Sequence, residues 1–180
     1  HLELKEKING IKIIKNQAYL DSSKITNKIY IIGNFENQNY FKDYKTDLKK
    51  NFKLKNQDLK INTKLINKLK ETNSISIHIR RNRFSDQINL TNKSYYFKKS
   101  DNFTHDCVDY INKSITYFKN KIDNPKFFIW SNDFVDIEKF TNNLIISDFS
   151  YIKTNNTLYD FHLFSFSKHF IVSPSSFHWW

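Results

Sequence analysis

A chain of 180 residues is long enough for one domain with a true core, or for one domain and part of another. Its formal charge of +11 and pI of about 9.5 predict anionic partners, but nearly all the cations are lysines scattered along the chain, so phosphate groups or nucleotides are expected before a nucleic-acid strand. A single cysteine, Cys107, excludes an internal disulfide, no Cys/His spacing suits zinc, and no apolar run reaches the length of a membrane span.

Two short β-branched runs open the chain, Ile11 to Ile14 and Lys28 to Ile32, the second closed by Gly33; both predict strands. From about Asn37 to Phe52, the spacing of Phe41, Tyr44, Leu48 and Phe52 predicts an amphipathic helix against a core. Ile61, Leu65, Ile66 and Leu69 predict a second helix that ends before Asn73, with its lysines in solvent. The chain is organised around Ser74 to Phe84. There Ile75, Ile77 and Ile79 alternate with Ser74, Ser76, His78 and Arg80, as a half-buried strand requires, and the polar face leads into Arg80, Arg81 and Arg83. The plain reading of those arginines is a solvated basic loop. A polar loop is expected to about Asp101, carrying Tyr95-Tyr96-Phe97 as anchors or as stacking partners for a base or sugar. Val108, Ile111, Ile115 and Phe118 then predict a helix stopping before Pro125, with Cys107 as a small buried residue on its apolar face rather than a nucleophile. Lys126 to Trp130 predicts a strand, after which Asn132 or Asp133 would cap a short helix reaching Phe140. Leu144 to Ile146 predicts a strand ending in Ser147-Asp148. A helix from about Leu158 to Ser167 and a last strand, Phe170 to Val172, lead into Ser173-Pro174-Ser175-Ser176-Phe177.

From Ser74 onward the order is therefore βαβαβαβ and the start of a helix, which predicts an α/β fold with a Rossmann-like parallel sheet and right-handed crossovers. The carboxyl ends of parallel strands share one edge, so Arg80, Ser131, Ser147, Asp148 and Ser173 to Ser176 are expected around one crevice. Pro174 followed by two serines suits the first turn of a helix, whose free N–H groups and dipole attract an anion. An arginine opposite would complete a clamp for a diphosphate. Gly10 and Gly33 are the only glycines and no Asp-x-Asp pair occurs, so neither a glycine-rich phosphate loop nor that metal motif is present. Metal-free binding of a diphosphate is the expectation, with no cofactor.

Three stretches carry a family resemblance. Ser76-Ile-His-Ile-Arg-Arg81 is similar to an H-x-R-R-x-D motif, and Phe127-Phe-Ile-Trp-Ser-Asn-Asp133 to an F-x-x-F-S-D-D strand. Asp160, Leu163-Phe164, Lys168-His169, Ile171 and Ser175-Ser176-Phe177-His-Trp-Trp180 are similar to a closing D-x-x-L-M-x-x-x-K-H-x-I-x-x-N-S-S-F-S-W-W block. A weaker fourth match, Gly33 to Phe41, resembles a G-Y-F-Q-S-x-x-Y-F segment. Taken in this order, they resemble the α-1,2-fucosyltransferases, glycosyltransferase family 11. The resemblance implies a two-domain GT-B fold of facing Rossmann-like halves. Residues 74–180 would be the GDP-sugar (donor) half, truncated at its C-terminus, and residues 1–73 the tail of the acceptor-side domain with connecting helices. It also implies inverting, metal-independent transfer of L-fucose from GDP-L-fucose to the 2-hydroxyl of a galactoside, in synthesis of a surface polysaccharide such as lipopolysaccharide O-antigen or capsule. Carried over residue by residue, Arg80 would neutralise the leaving diphosphate and Arg81 would brace the site. His78 would lie near guanine or ribose, Asp160 would read the N1 and N2 donors of guanine, and Ser175, Ser176 and the Phe177 amide would hold phosphate. Three positions depart from the pattern: Asn82 replaces the motif's glycine, Arg83 its acidic residue, with Asp86 nearby, and Pro174 the asparagine before the serine pair.

With no methionine at all and an apolar pair at the end, the chain is expected to be an internal piece of a longer protein, inactive alone. A cytoplasmic location is expected, with peripheral contact on the inner face of an anionic membrane suggested by charge alone. Two further readings stand beside the first. One is a basic nucleic-acid-binding module using Arg80, Arg81, Arg83 and the tyrosines, recognisable by steep salt dependence. The other is a fucosyltransferase of different linkage; the Ser-Ser-Phe-x-Trp-Trp ending favours the α-1,2 group.

Overall fold

The computed structural model describes residues 12–15, 29–32, 39, 41–52, 62–84, 93–175 and 178. Gly33, Asp86, Ser176 and Phe177 lie outside the described residues. The chain divides into two compact units, the first ending at Lys53 and the second running from Leu54 to His178.

In the first unit, β1 (Lys12–Lys15) and β2 (Ile29–Ile32) pair in parallel with Lys12 opposite Ile29. A 3-10 turn over Lys42–Tyr44 runs into α1 (Lys45–Asn51), shorter than the stripe of apolar residues predicts, and neither has a buried residue.

The second unit begins with α2 (Thr63–Glu71), capped by the Asn62 side chain, which accepts the Leu65 N–H at 3.0 Å. It continues through β3 (Asn73–Ile79), α3 (Lys93–Lys121), β4 (Pro125–Ser131), α4 (Glu138–Thr141), β5 (Phe149–Tyr151), α5 (Thr157–Phe164) and β6 (His169–Val172). All four strands of its sheet are parallel, in the order β5-β4-β3-β6, with Ile77 opposite both Ile129 and Ile171. This is the Rossmann-like α/β arrangement that the alternation of elements predicts.

Alternation along β4 builds a core on each face of the sheet. Phe127 and Ile129 join Ile75, Ile77 and Ile79 against Val108, Ile111 and Ile115 of α3, while Phe128 and Trp130 meet Ile66 and Leu69 of α2 and Leu163 and Phe164 of α5. Each such side chain, fully buried, contributes roughly 1.5–3 kcal/mol. Cys107 lies in the α3 core, and burial pushes its thiol pKa up.

Four local expectations are corrected. β3 is buried on both faces, because helices cover both sides of the sheet and its serines find partners there. Ser74 Oγ donates to Leu69 O at 2.5 Å, and Ser76 Oγ accepts the Trp130 indole N–H at 2.8 Å. Tyr95-Tyr96-Phe97 belongs to α3 rather than to a loop. The buried positions Ser100, Thr104, Cys107, Val108, Ile111 and Ile115 form one helical face, but its first two members are hydroxyls, invisible to an apolar count. Leu144 to Ile146 is not a strand. Its backbone is bound by side chains of α3: Asn112 accepts the Ile145 N–H at 3.0 Å and Lys119 donates to Ile145 O at 3.1 Å. Strand β5 forms later, and Ser147-Asp148 precedes it, with Asp148 paired to Lys126 near the start of β4 at 3.3 Å, away from the carboxyl edge. Finally, α4 has no side-chain cap; Asp133 instead accepts the Val135 N–H at 2.9 Å. Among the described residues, no helix is long and apolar enough to cross a membrane.

Candidate active site

β4 and β5 extend the sheet to one side of β3, and β6 lies on the other. The segments leaving β3 and β6 therefore diverge from neighbouring strand ends, and this switch in direction is where open parallel sheets form a ligand crevice. At that point the Arg80 N–H donates to Ser173 Oγ at 3.1 Å. Beside it lies a cavity of about 380 Å³, lined in part by His78, Arg80, Asp160 and Ser175. Four of the residues expected to form the site thus share one cavity, although they come from β3, α5 and the segment after β6. Ser131 also lines it, from the end of β4.

The arginines divide their labour. Arg80 is half-buried with its side chain on the cavity, and among the described residues no carboxylate pairs with its guanidinium. Arg81 is 8% exposed and turned into the fold. Its guanidinium donates to the Val135 carbonyl, lies 4.9 Å from the Phe140 ring centre and 3.9 Å from Asp101, while its main chain exchanges hydrogen bonds with the Asn132 side chain at 2.8 and 3.1 Å. Arg81 does not line the cavity, and a solvated basic loop does not describe it.

His78 precedes Arg80 by two residues and meets His178 edge-on, ring centres 4.0 Å apart and planes inclined at 61°. Burial, then the neighbouring His178 and Arg80 charges, hold its pKa well below the ordinary value; burial likewise pushes His178 down to about 4. Both rings are neutral at pH 7, which leaves Arg80 as the fixed cation from β3. On α5, Asp160 accepts a hydrogen bond from Thr154 Oγ1 at 2.7 Å, yet burial raises its pKa. A partly desolvated carboxylate in a cleft with a cation is a chemical signature of binding or catalysis.

The turn from β5 to α5 supplies residues that the sequence reading leaves out: Lys153, Asn155, Asn156 and Thr157 line the cavity, and the Lys153 ammonium lies 5.8 Å from the Phe134 ring centre. The available signal is Asn155-Asn156-Thr157, since Asn156 caps α5 by accepting the Tyr159 N–H at 3.0 Å. Asn132, Asp133 and Trp130 line the cavity as well.

Residues 5–180 match the model of glycosyl transferase family 11. The chain belongs to that family. Over 160 residues it is 28% identical to an alpha-1,2-colitosyltransferase of Escherichia coli, an alignment covering 84% of this chain and 50% of that protein. The chain thus spans about half the length of the curated relative it matches. No solved structure matches.

In this family 11 chain Asn82, directly after the arginine pair, takes φ 53°, in the left-handed region that asparagine tolerates better than other side-chain-bearing residues. Its amide donates to Asp133 at 2.6 Å, tying the ends of β3 and β4 together.

Proposed function

We propose that the chain carries the donor-binding half of an inverting, metal-independent glycosyltransferase that moves L-fucose from GDP-L-fucose to the 2-hydroxyl of a galactoside in surface-polysaccharide synthesis. The observation that carries this reading is the meeting of Arg80 and Ser175, from the two strands that flank the switch point, in one cavity with Asp160. In a single displacement the acceptor hydroxyl oxygen bonds to the anomeric carbon and gives up its proton, to solvent or to a base outside this chain's described residues, as the bond to the β-phosphate oxygen breaks and negative charge grows on the departing diphosphate. The Arg80 guanidinium, which pairs with no carboxylate among the described residues, stabilises that charge through charge-assisted hydrogen bonds. Asp160, acceptor-only when ionised, suits the paired N1 and N2 donors of guanine, and neutral His78 packs beside the nucleoside. Arg81 supports the wall from within. Residues 74–180, with α2 packed on their sheet, form the donor half in this reading, and the acceptor is held chiefly by the remainder of the enzyme.

The family membership supports glycosyl transfer, and the relative's α-1,2 name supports the linkage. The burial of Arg81 argues against a surface module built on three arginines. The test is incubation of the full-length enzyme with GDP-L-fucose or GDP-linked colitose and a panel of galactosides, with linkage analysis of the product. A new bond from fucose to O2 is expected. Transfer of colitose alone would replace the donor assignment, and a protein whose melting temperature GDP does not raise would lose the donor site altogether.

A further inference from the structure

The loop that leaves β3 is joined by a side chain to the segment that leaves β6. Arg83 Nη1 donates to the Pro174 carbonyl at 2.5 Å across 91 positions. The guanidinium is seated on Phe103 of α3, 5.0 Å from the ring centre, so a second element fixes its direction. The left-handed turn at Asn82, held by Asp133, precedes it. Together with the Arg80 N–H on Ser173 Oγ, this makes a clasp: the exit of β3 holds two consecutive residues of the exit of β6. The next residue, Ser175, is the one that reaches the cavity, whereas Arg83 does not line it.

A carboxylate at position 83 would repel the Pro174 carbonyl, while an asparagine at 174 could donate its amide to that carboxylate. We propose that Arg83 is a positioning residue for the nucleotide-sugar donor, which, by gripping the Pro174 carbonyl, sets Ser175 at a fixed reach from the Arg80 guanidinium. The proposal rests on the donor reading of the cavity and adds to it the residue that holds the phosphate-binding segment in register.

The test uses the full-length enzyme and the variants R83A, R83K, R83D, P174N and R83D/P174N, with GDP affinity, donor KM, kcat and amide hydrogen exchange over residues 173–178 as readouts. In R83A, donor KM should rise roughly tenfold, the loss expected of one charge-assisted hydrogen bond, with kcat changing less. Exchange over 173–178 without nucleotide should quicken. R83K should recover part of both effects, R83D should be worse than R83A, and P174N should partly rescue R83D. Donor KM within twofold of wild type in R83A with unchanged exchange would overturn the proposal, as would an R83D/P174N enzyme no better than R83D. A wild type that neither binds GDP nor transfers sugar would instead overturn the donor reading, and with it the ligand role of Arg83; the exchange data would then test only the clasp.

Discussion

Arg80 lines the cavity and, among the described residues, no carboxylate pairs with its guanidinium, so its removal tests the proposed chemistry directly. In Arg80→Ala, turnover of the full-length enzyme should fall by two to three decades, roughly 2.7–4 kcal/mol, as with loss of one oxyanion donor. A kcat within tenfold of wild type would remove it from that role. Asp160 presents the converse case, a carboxylate that the fold disfavours in its charged form. Because its folded pKa lies above its unfolded value, its contribution is favourable only in acid and is lost as pH rises through the folded pKa. Asp160→Asn should therefore raise the melting temperature of the unliganded protein at pH 7 while abolishing the preference for GDP over ADP. A lowered melting temperature, or intact discrimination, would refute the two halves of that statement separately. The histidine pair bears on stability in another pH range. The unfolded chain binds protons near the ordinary value of 6.5 that the fold refuses until lower pH, about 4 at His178, so their stabilisation is complete above about 6.5 and is lost as pH falls through that interval. Melting curves between those limits should show the loss, with a shallower slope in His178→Phe; equal slopes would mean that the acid sensitivity lies elsewhere.

At the scale of elements, β3 is where apolar pattern and physical outcome part. Its odd positions reveal the strand, but Ser74 and Ser76 are as buried as the isoleucines, since they satisfy a helix carbonyl and an indole N–H. Ser76→Ala should cost roughly 1–3 kcal/mol in urea unfolding, because it leaves the Trp130 N–H buried without that acceptor. A change below 0.5 kcal/mol, the ordinary range for a surface site, would show that the hydroxyl is dispensable. The same blindness to hydroxyls hides the first third of α3, where Ser100 and Thr104 face inward. It does not affect β4 or β6, whose aromatic and β-branched residues are legible from the sequence, nor Arg80, which follows directly from the end of β3. The loss at β5 is of another kind. Leu-Ile-Ile at 144–146 has the composition of a strand, but Asn112 and Lys119, more than 20 positions away, take its backbone groups, and local pattern carries no trace of that. Placing the strand too early removes Lys153 to Thr157 from the carboxyl edge, and that is why the β5–α5 turn is missing from the expected site while Arg80, Ser175 and Asp160 are found.

The 180-residue chain carries a formal charge of +11, and any polyanion will feel it. The cavity, by contrast, is lined by only two cations, half-buried Arg80 and exposed Lys153. These two kinds of anion binding differ in their response to salt. A protein neutralising 6–10 phosphates of a duplex loses roughly 10³- to 10⁵-fold in affinity between about 50 and 200 mM salt, because condensed counterions are released in proportion to the phosphates covered. A diphosphate held by a guanidinium and by amides around Ser175, with its base read by a carboxylate, loses far less, since half-buried charges are weakly screened and base recognition is not ionic. We expect the retention of the full-length enzyme on duplex DNA to vanish over that salt interval, while GDP at about 100 times its Kd continues to stabilise the fold by roughly 2.7 kcal/mol, several degrees in melting temperature. ADP at the same concentration should give a clearly smaller shift at every salt concentration if Asp160 reads the base as proposed, because adenine's edge offers it no paired donors. Equal shifts from GDP and ADP that both collapse with salt would mean that the whole-molecule field, and not the cavity at the switch point, is what binds nucleotides.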